Sequence, residues 1–452
     1  MRIGILRPNF RSLMVMLISA LVVALTFESI SFSISGIVFE SNSNVRVMNF
    51  SFISALCISI ELIVAVLLRR KVETGNFLHY LRGNHAFIMI LLIQILMVSI
   101  VLLALIQMHY FTKYQIIIIR IFVITSYSFS TIFIFLLLLR FRQWLQVRQN
   151  LVVLTYSITM GTIILNFISG TIYLIDELEN DPNLIRPLPF PPHVLHVEKG
   201  EGSLKDLYLV SYVIIFVSTW VGTVTLLQSY SQRLGRIRYW VVVILPLAYF
   251  SIQYMPLLTD KISIYLLQDP INYGLWYVLL TNVSKPIGGI IFGIAFILIS
   301  SQLESRRVRE YLILSAMGFM LMFASNKPDI LISPTYPPYG ILSLSALPIS
   351  SFLIVIGIYS TAVSISKDAS LRRNIVRYLS TDSDFLKSLG NAELQQSIKN
   401  KVFKATKRLS SQTPEYTGIE SSFDDFDIKG YINEVYDLLK SNKNSKLSSD
   451  SL

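Results

Sequence analysis

Hydrophobic residues along this chain gather in ten long runs that are separated by polar connections. The runs cover residues 12–34, 50–68, 86–106, 115–139, 151–175, 207–227, 239–256, 274–299, 311–325 and 341–364. A helix that crosses a bilayer needs about 20 mostly apolar residues, because its backbone polar groups must be satisfied without water. The pattern therefore predicts an all-α protein, a polytopic bundle of about ten transmembrane helices over residues 1–366. The ninth run is the shortest, and the sequence leaves open whether it crosses fully or is re-entrant.

The composition agrees with a membrane location. Hydrophobic residues make up 53% of the 452 residues and charged residues 15%, and the mean hydropathy is +0.58; an ordinary soluble domain carries about 25% charged residues. The formal net charge is +11, but the basic residues lie at the ends of apolar runs, a pattern that orients membrane helices. We therefore expect no nucleic-acid partner. The single cysteine, Cys57, excludes an intramolecular disulfide and a Cys-rich metal site.

Lysine and arginine are distributed unequally between the two sides of the predicted bundle. The connections on the side of the N-terminus hold sixteen of these residues, and those on the opposite side hold seven. Because basic residues are retained in the cytoplasm, both termini are predicted to be cytoplasmic, and an even number of spans also places them on one side. The expected location is the cell membrane, with the lipid bilayer as a partner.

Four ionisable side chains lie inside the predicted spans. They are Glu28 in the first, Glu61 in the second, Arg120 in the fourth and Lys285 in the eighth. Such residues normally face the bundle interior and have a partner. One interpretation is a polar site or proton path. The other is two buried ion pairs, Glu61 with Lys285 and Glu28 with Arg120, or an Arg120 side chain that extends outward to the interface.

The eighth span combines polar and helix-breaking residues. Asn282 and Lys285 precede Pro286, which removes a backbone hydrogen bond and kinks a helix. Gly289 and Gly293 follow at the spacing that lets another helix approach closely. The segment is therefore a candidate ligand site, or an ordinary packing solution between membrane helices.

The longest connection, residues 176–206, carries His193 and His196 near Glu198 and Glu201. These side chains could bind a divalent metal, but solvent-exposed loop histidines are the interpretation we favour, and we predict no metal and no cofactor. The chain has no Walker loop, HExxH, nucleophile elbow or kinase signature, so we expect no enzyme. Transporters built from two inverted five-helix repeats have broken helices at equivalent places in each half. The third span, which would match the eighth, has neither Gly nor Pro, and this difference weakens a transporter interpretation.

The C-terminal tail divides into a basic part, 367–409, and an acidic part, 410–452. Apolar residues at helical spacing predict an amphipathic helix over 392–409, opposite a row of lysines. A linker over 410–415, a second amphipathic helix over 428–440 and a disordered end are expected to follow. Such short helices need a partner, so we expect a cytoplasmic protein to bind residues 367–440; anionic lipid and a second copy of the chain are the alternatives.

Four short stretches near the C-terminus carry a family resemblance. They are Tyr336-Pro-Pro-Tyr-Gly340, Gly357-Ile-Tyr-Ser-Thr-Ala362, Asp368-Ala-Ser-Leu-Arg-Arg373 and Glu415-Tyr-Thr-Gly-Ile-Glu420. In this order they resemble the C-terminal pattern of an uncharacterised family of polytopic membrane proteins in ammonia-oxidising archaea. The resemblance covers about the last quarter of the chain. It implies an archaeal cell membrane and transfers no catalytic residue.

These observations favour one functional hypothesis and keep two alternatives. The first is a receptor-like sensor or scaffold that couples an external or intramembrane ligand to a cytoplasmic partner through the last span and the tail. The second is a secondary transporter that uses the intramembrane charges, and the third is an accessory subunit of a larger membrane complex.

Overall fold

All elements of secondary structure in the described part of the computed structural model are helices. The structure describes residues 10–38, 43–72, 84–111, 114–147, 149–180, 203–228, 235–252, 289–290, 292–301, 303, 305–326, 337–367 and 385–417. The first six are α1 (Phe10–Val38), α2 (Ser43–Val72), α3 (Asn84–Phe111), α4 (Ile116–Val147), α5 (Leu151–Asn180) and α6 (Ser203–Gln228). They correspond to the first six predicted spans. The all-α prediction is confirmed.

The second half of the chain is described in shorter pieces. The helices here are α7 (Arg236–Ile252), a short apolar helix over Phe292–Ser301, α8 (Arg306–Ser325), α9 (Ile341–Ser345), α10 (Leu347–Lys367) and α11 (Phe385–Thr417). α9 and α10 are separated only by Ala346 and form the last span. α8 has 20 residues and ends at Ser325, where the sequence places the end of the ninth run.

Eight of the described helices, counting α9 and α10 as one, are long and apolar enough to cross a membrane. The seventh and eighth predicted spans lie partly outside the described residues. Large apolar side chains on the outer helices point away from the protein, for example Val23 of α1, 67% exposed, and Phe52 of α2, 70% exposed. Such surfaces would be unfavourable in water and suit lipid.

The last two long helices occupy the centre of the bundle. All of the most apolar stretch of α10 and 89% of that of α8 are buried, against 33–44% for the six preceding spans. α10 packs along α8, α4 and α3, while α1 packs against α8 on the other side. These two helices are therefore enclosed by protein, with little contact with lipid.

The tail helix α11 begins earlier and ends later than the sequence predicts. It starts at Phe385, because Phe385, Leu386 and Leu389 are buried against the bundle, a tertiary contact that periodicity in the tail does not show. The linker predicted over 410–415 is instead the last part of this helix. A helix that has already formed gains one hydrogen bond for each added residue, so polar residues there do not end it. The helix predicted over 428–440 lies outside the described residues.

Candidate functional site

The carboxylate of Glu28, on α1, holds the start of the last span. It accepts hydrogen bonds from the backbone N–H groups of Gly340 at 2.7 Å, Leu342 at 3.3 Å and Ser343 at 3.0 Å, and from the Ser343 hydroxyl at 2.7 Å. The first N–H groups of a helix have no partner inside it. Glu28 is fully buried and supplies that partner where water would be absent.

The chain enters α9 through a tight turn that presents these donors to Glu28. Gly340 has a φ of 95°, in the left-handed region that glycine adopts without a steric penalty. The Tyr339 N–H donates to the Pro337 carbonyl at 2.9 Å, and the Tyr339 ring packs edge-on against Phe50 of α2 at 5.5 Å between centroids. The turn over residues 337–340 thus fixes the geometry of the site.

Glu61, on α2, lies against the same short helix and is also fully buried. Its carboxylate accepts hydrogen bonds from the Ser345 hydroxyl at 2.7 Å and from the side-chain amide of Gln94 on α3. The other Gln94 amide atom, Oε1, is buried and has no hydrogen-bond partner among the described residues. Two carboxylates and one amide, from α1, α2 and α3, therefore meet at α9. We call this group of side chains the carboxylate site: Glu28, Glu61, Gln94, Ser343 and Ser345.

Arg120, which the sequence offers as an ion-pair partner of Glu28, binds elsewhere. The Arg120 guanidinium donates to the Leu178 carbonyl, in the last turn of α5, rather than to Glu28. The last carbonyls of a helix have no partner inside it, so a cation from the adjacent helix is favourable there. Lys285 lies outside the described residues together with Asn282 and Pro286, and its pairing with Glu61 stays a prediction.

Gly289 and Gly293 lie against α8. A Cβ atom on Gly289 would be 2.5 Å from Cβ of Phe323, and one on Gly293 would be 2.7 Å from the Ala316 carbonyl oxygen. Both distances are shorter than van der Waals contact, so the two backbones approach as closely as glycine allows. This part of the eighth span therefore packs helices together.

A second polar network joins α4, α5, α6 and the end of α8. Asn326 donates to Asn166 Oδ1 at 2.7 Å and accepts from the Tyr127 hydroxyl at 3.1 Å. Asn166 in turn donates to the Ser211 hydroxyl at 2.9 Å. Ser126 of α4 donates to the Leu344 carbonyl at 2.6 Å, so this network lies next to the carboxylate site.

At its other end the last span contacts the tail helix. On α11, Ser388 accepts from the Asn150 side chain at 2.7 Å, and Glu393 accepts from the Trp144 indole N–H at 2.9 Å. The Phe385 ring packs on Tyr156 of α5 at 5.3 Å between centroids. Gly390 lies directly against Ile365 of α10. The last span, α9 with α10, thus reaches from the carboxylate site to the tail helix.

Part of this site was missed at the level of the sequence. Glu28 and Glu61 stand out because ionisable residues are rare in membrane helices, whereas Gln94, Ser343 and Ser345 do not, since single amides and hydroxyls are common there. The number of serines in residues 341–351 is the signal that could have indicated a protein-enclosed helix. Within the described residues no three His, Cys, Asp or Glu side chains form a group that could hold a metal ion. His193 and His196 lie outside them.

The fold and its outward apolar faces define a multi-pass α-helical membrane protein. Comparisons of the chain with family models, with curated proteins and with solved structures found no match.

Proposed function

We propose that this protein is a membrane sensor in which the last span couples the carboxylate site to the tail helix. The observation that carries the proposal is the position of α9 and α10. Their first turn is held by Glu28 and Glu61, and α10 packs on α11 at the other end. A change in the hydrogen bonding of the first turn therefore acts on the last span, against which the tail helix is docked.

The burial of α10 supports this coupling. Because the helix is enclosed by α3, α4 and α8 rather than by lipid, a shift at its start has to repack protein side chains along its length. Packed interiors move between discrete arrangements and do not deform continuously. If α10 were surrounded by lipid, the flexible acyl chains would accommodate the same shift.

The charge distribution of the connections orients the proposed sensor. With the basic connections in the cytoplasm, α11 is cytoplasmic and the carboxylate site lies toward the outer side of an archaeal cell membrane. The part of α11 beyond the docked end presents Ile398, 41% exposed, and Val402, 44% exposed. In this proposal that face binds the cytoplasmic partner.

Spin labels test the coupling. One label replaces Gln149, between α4 and α5, and another replaces Lys401 on α11; both positions are exposed, and Cys57 is replaced by serine. We expect Glu28→Gln, or Ser343→Ala if the first variant does not fold, to change the label-to-label distances measured by double electron–electron resonance in liposomes. Val23→Leu, on the lipid-facing side of α1, is the control. Identical distance distributions in all of these proteins would contradict the proposal.

Secondary transport is the second candidate, and one observation favours it. Two buried carboxylates bind α9, which is separated from α10 by a break in the last span at Ala346. Transporters bind ions where helices are broken near the bilayer midplane. Uptake by liposomes that is lost in Glu61→Gln while the tail distances stay constant would support transport over sensing.

A further inference from the structure

The Ser345 hydroxyl has two acceptors and one hydrogen. Its Oγ is 2.7 Å from Glu61 Oε1 and 2.7 Å from the Leu342 carbonyl oxygen. An ionised carboxylate only accepts hydrogen bonds, whereas a protonated one also donates. If Glu61 is ionised, Ser345 has to give up one of the two contacts. If Glu61 is protonated, it donates to Ser345, and Ser345 donates to Leu342, so that both contacts are hydrogen bonds.

Gln94 offers a second acceptor for the same proton. Its amide is buried, with Nε2 directed at Glu61 Oε2, and within the described part of the chain Oε1 has no partner. A half-turn of the amide would bring Oε1 to Glu61, where it accepts from a protonated carboxyl. Buried polar groups are normally hydrogen-bonded. An unused acceptor beside a buried carboxylate is therefore a place where a hydrogen atom is expected.

Glu28 has the opposite environment. Its carboxylate accepts hydrogen bonds from three backbone N–H groups and from the Ser343 hydroxyl. Backbone N–H groups only donate, so a proton on Glu28 would weaken contacts that an ionised carboxylate satisfies. Glu28 and Glu61 also repel each other. Of two neighbouring buried carboxylates, the one without backbone donors holds the proton at lower cost.

We propose that Glu61 is a proton-binding site, with Ser345 and Gln94 as the side chains that hold the proton and Glu28 as the neighbouring carboxylate, whose backbone donors favour its ionised form. A hydrogen ion adds to a Glu61 oxygen, forming one O–H bond, and the Ser345 hydrogen turns from Glu61 to the Leu342 carbonyl. The protonation of Glu61 thereby sets the direction of the hydroxyl in α9. This inference deepens the proposed function, because it makes the proton the ligand that the sensor detects. In that respect it rests on the proposed function.

The groups that interact electrostatically with this site come from several elements. Glu28 faces it from α1, Cys57 from one turn earlier on α2, and Tyr339 from the turn before α9. Arg46, at the start of α2, interacts with Tyr339. From α3 the contact is the neutral amide of Gln94. Substitutions of Glu61 are therefore to be compared with substitutions of Glu28 and Cys57.

Infrared spectroscopy of the full chain in liposomes tests the proposal directly. A protonated carboxyl in a dry site gives a C=O band separate from that of a carboxylate. We expect such a band in the wild-type protein, lost on raising the pH, absent in Glu61→Gln and retained in Cys57→Ser. Ser345→Ala should shift the band without removing it, because the carboxyl loses a hydrogen-bond partner.

Three outcomes would overturn the proposal. The first is a band that persists in Glu61→Gln. The second is the absence of any band over the whole pH range in which the protein is folded. The third is a band that Na⁺ abolishes at constant pH, which would assign the site to a metal cation. The proposed function fails separately. A Glu61 band that titrates while the label distances at α11 stay constant would keep the proton site and contradict the sensor.

Discussion

At the scale of single residues, the buried polar side chains are arranged so that hydrogen bonds cross between helices. Asn326 lies 160 residues after Asn166 in the chain and donates to Asn166 Oδ1 at 2.7 Å. In hydrocarbon an amide without a partner costs several kcal/mol. The two asparagines therefore stabilise only the arrangement in which α5 and the end of α8 are neighbours.

A double-mutant cycle measures this contact. We expect Asn166→Leu and Asn326→Leu each to lower the free energy of unfolding by about 1–3 kcal/mol, because each leaves a buried amide without its partner. The double variant should lose less than the sum, since both polar groups are then gone. Reversible unfolding in mixed detergent micelles gives the values. Strict additivity would show that the two side chains do not interact.

At the scale of elements, α8 and α10 form the central pair, and two glycines set their separation. A Cβ on Gly318 would lie 2.7 Å from the Ile354 side chain, and one on Gly357 would lie 2.5 Å from the Ser315 backbone nitrogen. Each glycine faces the backbone of the opposite helix. The crossing of the two helices therefore depends on the absence of side chains at these positions.

Alanine substitutions test this dependence. Gly357→Ala should destabilise the protein by about 1–3 kcal/mol, the usual cost of inserting a methyl group into a packed interior. Gly161→Ala is the matched control, because nothing lies within 4 Å of a Cβ atom there; it should be neutral or stabilising by up to about 1 kcal/mol through helix propensity. Thermal unfolding compares the two. Equal melting temperatures would contradict the close packing of α8 and α10.

The tail helix is half docked and half exposed, and one pair of variants separates the halves. Leu389 is fully buried against the bundle, whereas Ile398 on the same helix is 41% exposed. Leu389→Asp should release α11, because an unpaired carboxylate cannot remain in that apolar contact. Faster cleavage of the tail by trypsin is the expected result. Ile398→Asp should leave the cleavage rate as in the wild type, and equal rates for both variants would argue against docking.

At the scale of the whole molecule, the protein encloses α8 and the last span, while the six preceding spans have large exposed faces. α8 has the lowest mean hydropathy of the eight long spans, 1.3, and serines recur along α9 and α10. Helices that face protein have partners for such groups, and helices that face lipid do not. The enclosure also explains why the ninth run is the weakest of the predicted spans.

Cysteine labelling tests the orientation of the molecule. Gln115 and Gln149 flank α4 and are both exposed, whereas Cys57 is buried and should not react. On intact cells a membrane-impermeant maleimide should label a cysteine at 115 and should label one at 149 only after permeabilisation. The reverse pattern would place the termini outside. Equal labelling of both positions on intact cells would mean that α4 does not span the membrane.

The sequence by itself determined the class of structure. Ten apolar runs predict membrane helices because an unpaired backbone cannot stay in hydrocarbon, and this requirement acts on each segment separately. Eight of the described helices satisfy it. The unusual carboxyl groups Glu28 and Glu61 were also recognisable, since the cost of a charge in a membrane is a property of the single residue.

Only the tertiary structure decided which groups meet. As one of two interpretations, the sequence offered Arg120 as a partner for Glu28 and Lys285 as a partner for Glu61, because opposite charges attract at any sequence separation. Lys285 lies outside the described residues. In the fold, Glu28 instead meets the backbone N–H groups that follow Gly340, and Glu61 meets Ser345 and Gln94. Backbone donors and single hydroxyls occur throughout the chain, so no local pattern selects them. Their selection depends on how α1, α2 and α3 pack around the start of the last span.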